Sequence, residues 1–409
     1  MLSQNKTKTG RYDIIVAGAG VAGIAAAITA RRQGKSVLLL EKSVILGGLA
    51  TLGLINYYVP MCNGRGTRII YGLIDEFIER SVRYGWEIVP DVWRSGEPDQ
   101  PTEVRYGVRY SPNIFALALT EYVLEEGVDL LFDTLASEPV MQQGICTGVV
   151  VENKSGRTLY ESAQVIDTTG DADLLVRAGV PTRDGGNFFS YISKAIDLAH
   201  CAKAIQSGRI DQAICNLPGG NASLYGDRHP EGMPLFTGIS GDSVNDYVIR
   251  NQLALLDKIR CDDKNSREIV TLPGMVQFRT TRCIAGDYCL QEADAYRHFD
   301  DSIAVMNDFE KRDILYEIPY RTLVCRGYDN LITAGRSASG SGYAWDCLRV
   351  IPPAILTGQT AGLAASQAID TGRAIWDLDI PLLQQQLAGQ KMMIHFDDRL
   401  VVNHQPVTV

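Results

Sequence analysis

The sequence predicts an α/β fold: a parallel sheet, built from distant parts of the chain, with a smaller α+β unit inserted into it. Three observations carry this expectation. An apolar strand runs through a glycine turn into an Ala-rich helix near the N-terminus, in "YDIIVAGAGVAGIAAAITARRQG". Short β runs at 139–162, separated by "QQG" and "NKSG", read as a local antiparallel meander. Far downstream, "DNLITAG" and the small-residue stretch 353–369 resume the buried style of the first segment after a region of different texture.

In chain order, the first strand is Tyr12 to Ala17, and its helix stops at Gly34. "KSVLLLE" is a second strand. Ile70, Leu73, Ile74, Phe77 and Ile78 fall at helical spacing. "SPNIFALALTEYVLEEG" is a helix with Ser111 at its N-cap, Pro112 in its first turn and Gly127 beyond its end. "VDLLFD" is a third strand, the meander follows, and "AQVIDTTGDAD" is a buried strand ending in a glycine turn. Residues 181–319 mix a helix at "GDSVNDYVIRNQLALLDKIR", with Asp242 as its cap, a polar glycine-rich stretch and strands near 268–284. This part is assigned to a second, substrate-side domain. The first domain is then discontinuous, 11–180 and 320–375, with 376–409 as a C-terminal tail. Residues 330–334 finish its sheet and helix 353–369 covers it.

The totals exclude several classes. Hydrophobic content of 45% and charged content of 21% belong to an ordinary globular protein. A net charge of −9 without a Lys/Arg run argues against nucleic acid. No apolar run reaches the roughly 18 residues a membrane helix needs. The polar start "MLSQNKTKTGRYD" lacks a signal-peptide core, so a cytoplasmic location is expected. The nine cysteines are scattered without a C-x-x-C, and the five histidines form no closely spaced pair, so no metal is expected. The expected partner is a small-molecule substrate, and nothing excludes a homo-oligomer.

The chemistry begins at Gly18-Ala19-Gly20-Val21-Ala22-Gly23, a G-x-G-x-x-G between strand and helix. The first glycine allows the turn, the second lets backbone approach a pyrophosphate, and the third lets helix pack on strand. Glu41 closes the second strand, placed to accept hydrogen bonds from an adenosine ribose, with Lys42 beside it. NAD and FAD share this motif. Gly47-Gly48, directly after, lets a long cofactor continue along the backbone, which favours FAD. No second such motif marks a dedicated NAD(P)H site; "GSGYAW" lacks the third glycine.

Taken together, the G-x-G-x-x-G, "EK…GGLAT", "VIDTTGDAD", "IPYRTLV…DNLITAGRSAS" and "LRVIPPAILTGQTAGLAA" resemble the bacterial FAD-dependent oxidoreductases of glutathione-reductase-like fold. A more distant resemblance reaches the succinate dehydrogenase and fumarate reductase flavoproteins. The resemblance covers most of 12–180 and 279–369. It implies a Rossmann-like FAD-binding domain of parallel sheet plus β-meander, and hydride transfer between flavin N5 and a small organic substrate: an alcohol, an amine or an activated C–C bond. It further implies that Gly18, Gly20 and Gly23 hold the pyrophosphate and Glu41 the ribose. Gly47, Gly48 and Thr51 would pass under the ribityl and flavin, Ala136 would meet adenine, and Thr169, Gly170 and Gly335 would border the cleft. Val350 and Ile351 would offer N–H groups to the flavin C2 carbonyl. Where many relatives have Gly-Asp after the last strand, this chain has Gly335-Arg336, which leaves the ribitol contact unassigned. The alternative reading is a flavin-bearing subunit that passes electrons to another redox protein.

The loop before the last helix would lie beside the flavin. Tyr343, Trp345, Asp346 and Arg349 are therefore the catalytic candidates: Trp345 to stack, Asp346 as a general base, Arg349 to hold a carboxylate. The plain alternatives are a core tryptophan and an internal Asp–Arg pair. Arg279, Arg282, Tyr320 and Arg321 would form an anion-binding wall, or bridge the two domains. Cys62 is a thiol that could approach the flavin, though without a partner cysteine nearby.

Overall fold

The computed structural model describes residues 10–401. Its main sheet starts with β1 (Arg11–Ala17), which leads through a glycine turn to α1 (Val21–Arg32) and β2 (Val37–Leu40). After α2 (Pro112–Glu125) comes β3 (Asp129–Leu131). The meander is β4 (Leu135–Gln142), β5 (Ile145–Asn153) and β6 (Gly156–Asp167). β6 does double duty. Its first half pairs antiparallel with β5, and its second half pairs parallel with β1 on one side and β10 (Leu331–Thr333) on the other. The parallel part of the sheet thus runs β3-β2-β1-β6-β10.

The register positions the site. Ala17 pairs with Leu40 and with Asp167, and Asp167 pairs with Thr333. Four strands therefore end at one level, and Gly18, Glu41, Thr168 and Ala334 leave the sheet side by side at its carboxyl edge. Open α/β sheets bind ligands at that edge.

One face of the sheet carries α1 and α5 (Ile351–Thr371), packed on each other. Both are nearly all buried, which is why both consist of small and aliphatic residues. A Cβ on Gly358 would sit 2.2 Å from the Ala22 carbonyl oxygen, and one on Gly362 equally close to that of Ala26. The backbones approach too closely for any side chain at these positions.

The inserted unit is a three-stranded antiparallel sheet, β8-β7-β9, formed by β7 (Ser190–Asp197), β8 (Ile214–Asn221) and β9 (Arg267–Thr271). Helix α3 (Gly241–Arg260) lies on it, around a small core of Phe189, Tyr191, Phe236, Tyr247, Leu255 and Phe278. Its cap is Ser240, whose hydroxyl accepts from the Ser243 N–H. Asp242, the expected cap, lies inside the first turn. Ser240 takes the role because its backbone is extended, as an N-cap must be.

Two further differences concern segment boundaries. The strands Ser302–Asn307 and Leu315–Pro319 lie before the expected boundary at 319, yet they pack with the main core. The expected C-terminal tail contains a helix, Ile380–Gly389, that buries Leu383 and Leu387 in the same core. Among the described residues, no helix is long and apolar enough to cross a membrane.

Candidate functional site

A cavity of about 530 Å³ opens at the carboxyl edge of the sheet. That volume falls within the ordinary range for small-molecule sites. Gly18, Gly20, Val21 and Ala22 form its floor, with Glu41, Lys42, Gly47 and Gly48 beside them. Ala136, Thr169, Gly170, Gly335, Arg336, Val350 and Ile351 also line it. Residues from six separated chain segments thus meet in one cleft.

Local chemistry suits a dinucleotide. Gly18 sits at φ +98°, and a Cβ there would lie 2.5 Å from the Thr168 carbonyl oxygen. Gly20 has nothing within 4 Å of where a Cβ would be, so its missing side chain leaves space in the cleft itself. The first-turn N–H groups of α1 have no helical partners and carry the positive end of the helix dipole. The Glu41 carboxylate is held by the Ala19 N–H at 2.9 Å and the Ser43 N–H at 2.8 Å. At α5, Pro352 and Pro353 have no N–H, and the Ala354 N–H already bonds the Val350 carbonyl. Among the described residues, Ile351 is left as the unbonded donor of that first turn, beside Val350 at the N-cap.

Two cofactor candidates do not reach the cavity. Gly23 faces the strand: a Cβ would lie 1.9 Å from the Gly18 carbonyl oxygen, so its role is close packing of helix on strand. Thr51 is turned inward, its hydroxyl donating to the Leu46 carbonyl and supporting the Gly47 turn.

The expected catalytic loop is not a loop. Residues Gly342–Leu348 form a short helix, α4. Helical winding turns its side chains to different sides. Trp345 is 5% exposed, and its indole N–H donates to the Arg336 carbonyl at 2.8 Å; it belongs to the core, not the cavity wall. Tyr343 points elsewhere, stacked on Tyr225 and donating to the carboxylates of Asp308 (2.9 Å) and Glu310 (3.0 Å). Asp346 pairs with Arg349 through Arg349 Nε at 2.8 Å and does not line the cavity. Of the four, Arg349 alone lines it.

The expected anion wall also divides. Arg279 lines the cavity. Arg282 is buried beside Asp173 at 4.0 Å. The Tyr320 hydroxyl donates to the Ile375 carbonyl in the core. Arg321 makes a bidentate pair with Asp301. Cys62 is fully buried and accepts the Tyr106 N–H at 3.2 Å, away from the cleft.

Beyond the dinucleotide end the cavity turns apolar, lined by Leu52, Ile55, Val59, Ile192, Met275 and Phe278. Tyr57, Ser190 and Gln277 add polar groups, and sequence reading missed all three. The signal was thin: Tyr57 follows the double glycine in "GGLATLGLINYYV", and the other two sit in the weakly patterned insert. Two guanidiniums face this end. Arg279 donates to the carbonyls of Ser223 (2.7 Å) and Ala222 (3.3 Å), with no ion pair within 4 Å among the described residues. Burial lowers the pKa of Arg279 and of Arg349. Arg349 lowers that of Arg279 further, and Arg336 that of Arg349, against the pull of Asp346. Both stay charged.

Arg336 closes the site from one side. Its guanidinium donates to the carbonyls of Gly170 (2.7 Å) and Phe278 (2.6 Å) and to the Asp171 carboxylate (2.6 Å). It ties the turn after β6 to the inserted unit.

Comparison with known proteins places this geometry. The family model "FAD dependent oxidoreductase" matches residues 13–210 and 246–387. The digeranylgeranylglycerophospholipid reductase of Methanoculleus marisnigri is 29% identical over 204 residues, 46% of this chain and 47% of that protein. Digeranylgeranylglycerophospholipid reductase 1 of Methanococcoides burtonii is 28% identical over 218 residues, 52% and 48% of the two chains. The chain thus spans about half the length of the curated relatives it matches. Among solved structures, p-nitrophenol 4-monooxygenase from Pseudomonas putida aligns at 12% identity with a TM-score of 0.47, over 97% of this chain and 91% of that one.

Proposed function

The chain belongs to the FAD-dependent oxidoreductase family, and from that premise we propose that it oxidises or reduces a small organic substrate carrying an anionic group on an apolar body. Its cofactor is FAD, for which the open space at Gly20, the Glu41 carboxylate and the two helix N-termini are fitted. When bound, FAD supplies two-electron hydride chemistry at N5. The chain's own residues do the rest. Gly20 and the first turn of α1 receive the pyrophosphate, and Ile351 presents its N–H to the ring system.

The observation that carries the substrate reading is the charge balance at the apolar end. Arg279 is a half-buried cation facing the cavity; among the described residues it has no carboxylate within 4 Å, and Asp346 acts on it only at longer range. A carboxylate or similar anion on the substrate would complete it with charge-assisted hydrogen bonds. The surrounding Leu52, Ile55 and Phe278 would cover an alicyclic, aromatic or short aliphatic body. The alcohol, amine and activated C–C classes all fit within this proposal. The distant relation to succinate dehydrogenase and fumarate reductase flavoproteins rests on motifs and belongs to it too.

Anaerobic bleaching of the flavin absorbance across matched pairs of substrates, each acid against its amide or ester, tests the reading. The acids are expected to react preferentially. Arg279→Met is expected to raise KM for the acids by about 10–100-fold, the loss of a charged hydrogen-bonding partner, while leaving FAD content unchanged. Bleaching that ignores the acid group, or that occurs only with a reduced or oxidised redox protein, would defeat it.

A further inference from the structure

Remote from the FAD cavity, the fold gathers a second group of ionisable side chains. Glu317, on the strand Leu315–Pro319, is completely buried. Its Oε2 accepts the Phe299 N–H at 2.7 Å. Its Oε1 is met by two imidazoles, His298 Nδ1 at 2.6 Å and His395 Nδ1 at 3.0 Å. Its ion-pair partners within 4 Å, among the described residues, are these two histidines and no lysine or arginine. On its outer side His298 Nε2 lies 3.1 Å from Asp398 Oδ1, and its ring stacks on Phe396. None of these residues lines the FAD cavity.

A buried carboxylate with no basic partner is costly unless something cationic joins it. In the metal-free arrangement the two imidazoles meet it by hydrogen bonds alone. Burial by itself would lower the His298 pKa, but the hydrogen bonds to Glu317 and Asp398 outweigh it and raise it. A divalent ion offers a better match. Two imidazole nitrogens and one carboxylate oxygen are the donor set that zinc takes with an open fourth position. The three donor atoms already lie within 4.8 Å of one another. Tetrahedral ligands at zinc distances stand about 3.4 Å apart, so both imidazoles must swing outward by a few tenths of an ångström or more. Their side chains are 44% and 47% exposed, which leaves them room. Asp398 would then accept the Nε2–H of His298 and hold the tautomer whose Nδ1 lone pair faces the ion, the usual second partner of a ligating histidine.

We propose that Glu317, His298 and His395 form a zinc site that fastens the C-terminal segment to the main core. Binding at Nδ1 of each imidazole requires the Nε2–H tautomer, so a proton held at Nδ1 of a neutral ring moves to Nε2, one held there by a charged ring is released, and no oxidation state changes. The ion would join the strand Leu315–Pro319 to residues 395–398, whose neighbours Phe396 and Val401 pack on Ile69, Val305 and Leu315. Water would take the fourth position, and as none of the three residues lines the cavity the ion would tether segments of the chain.

The test is calorimetric titration of the purified full chain with zinc chloride after chelator treatment, with cobalt as a spectroscopic stand-in. One equivalent is expected to bind in the micromolar range or tighter, with cobalt showing the visible bands of a four- or five-coordinate nitrogen–oxygen site. Zinc is expected to raise the thermal midpoint by a few degrees. His298→Ala and His395→Ala replace half-exposed rings and should leave the fold and FAD content intact. Each should weaken binding at least about tenfold and abolish the thermal shift. His200→Ala, in the separate Asp197–His200–Cys215 group, should change nothing. Absence of saturable binding would overturn the proposal. So would affinity unchanged in both the His298 and His395 variants.

Discussion

At the scale of single residues, legibility followed backbone demands. Gly18, Gly47 and Gly335 stand at positive φ, where glycine fits best, and with Gly20 and Glu41 they line the cavity. Gly20→Val tests this directly. Gly20 sits at φ −68° with free space around a Cβ, so the variant should fold with near-native stability. It should nevertheless retain about a tenth or less of the normal FAD, because the new side chain takes the space of the pyrophosphate; absorbance per purified chain reads this out. Side-chain roles were less readable. Trp345 and Tyr343 were placed by proximity in sequence to the last helix, but α4 rotates successive residues by about 100° and sends them to the core and to Asp308. Lys194 gave no sequence signal. Burial, then the like charge of Arg109, lowers its pKa to about 8. Half of it is therefore neutral at that pH, and folding gains stability as pH rises from about 8 toward the ordinary lysine value, where only the unfolded chain holds the extra proton. Acetic anhydride labelling at pH 8, read by peptide mass spectrometry, should modify Lys194 well ahead of the fully charged, freely exposed lysines, once corrected for access.

At the scale of elements, the α1–α5 contact is a joint with no room for a side chain. Gly358 and Gly362 touch the carbonyl oxygens of Ala22 and Ala26. Gly362→Ala brings the better helix former, worth about 1 kcal/mol by propensity alone. The steric cost runs against it and is larger, because a 2.2 Å contact with backbone cannot relax without moving a helix. A net loss of about 1–3 kcal/mol is expected, measured by the shift in urea midpoint at unchanged slope. An equal or higher midpoint would mean that the helices have room to separate. These elements were legible because a helix of small residues reads plainly as one packed on backbone. The Asp242 cap was misread for the opposite reason: Ser240, Asp242 and Ser243 are all good cap residues within four positions, and only φ and ψ distinguish them.

At the scale of the whole molecule, the α/β class was visible because buried-strand and small-helix patterns recur in distant parts of the chain, and the late strand β10 pairs with β6 in the main sheet. The histidine cluster was not, since His298 and His395 are brought together by the strand Leu315–Pro319 and a C-terminal turn rather than by spacing. The inserted unit was the hardest part to read: its core is six aromatic and aliphatic side chains drawn from four segments. Arg336, expected among the cofactor-binding residues with the ribitol contact unassigned, lines the cavity and bolts this unit to the turn after β6. The β6 strand has a consequence for biosynthesis. It is flanked by β1, made first, and by β10, made much later, while α1 waits for α5 to cover its alanines. A nascent chain emerging from the ribosome therefore exposes the apolar side of α1 for more than 300 residues of translation, roughly 15–60 s at ordinary elongation rates. Release of a chain stopped at residue 349 should yield an FAD-free, aggregation-prone product that binds chaperones. The same chain continued through Thr371 should acquire the flavin, making cofactor capture wait until α5 has been made.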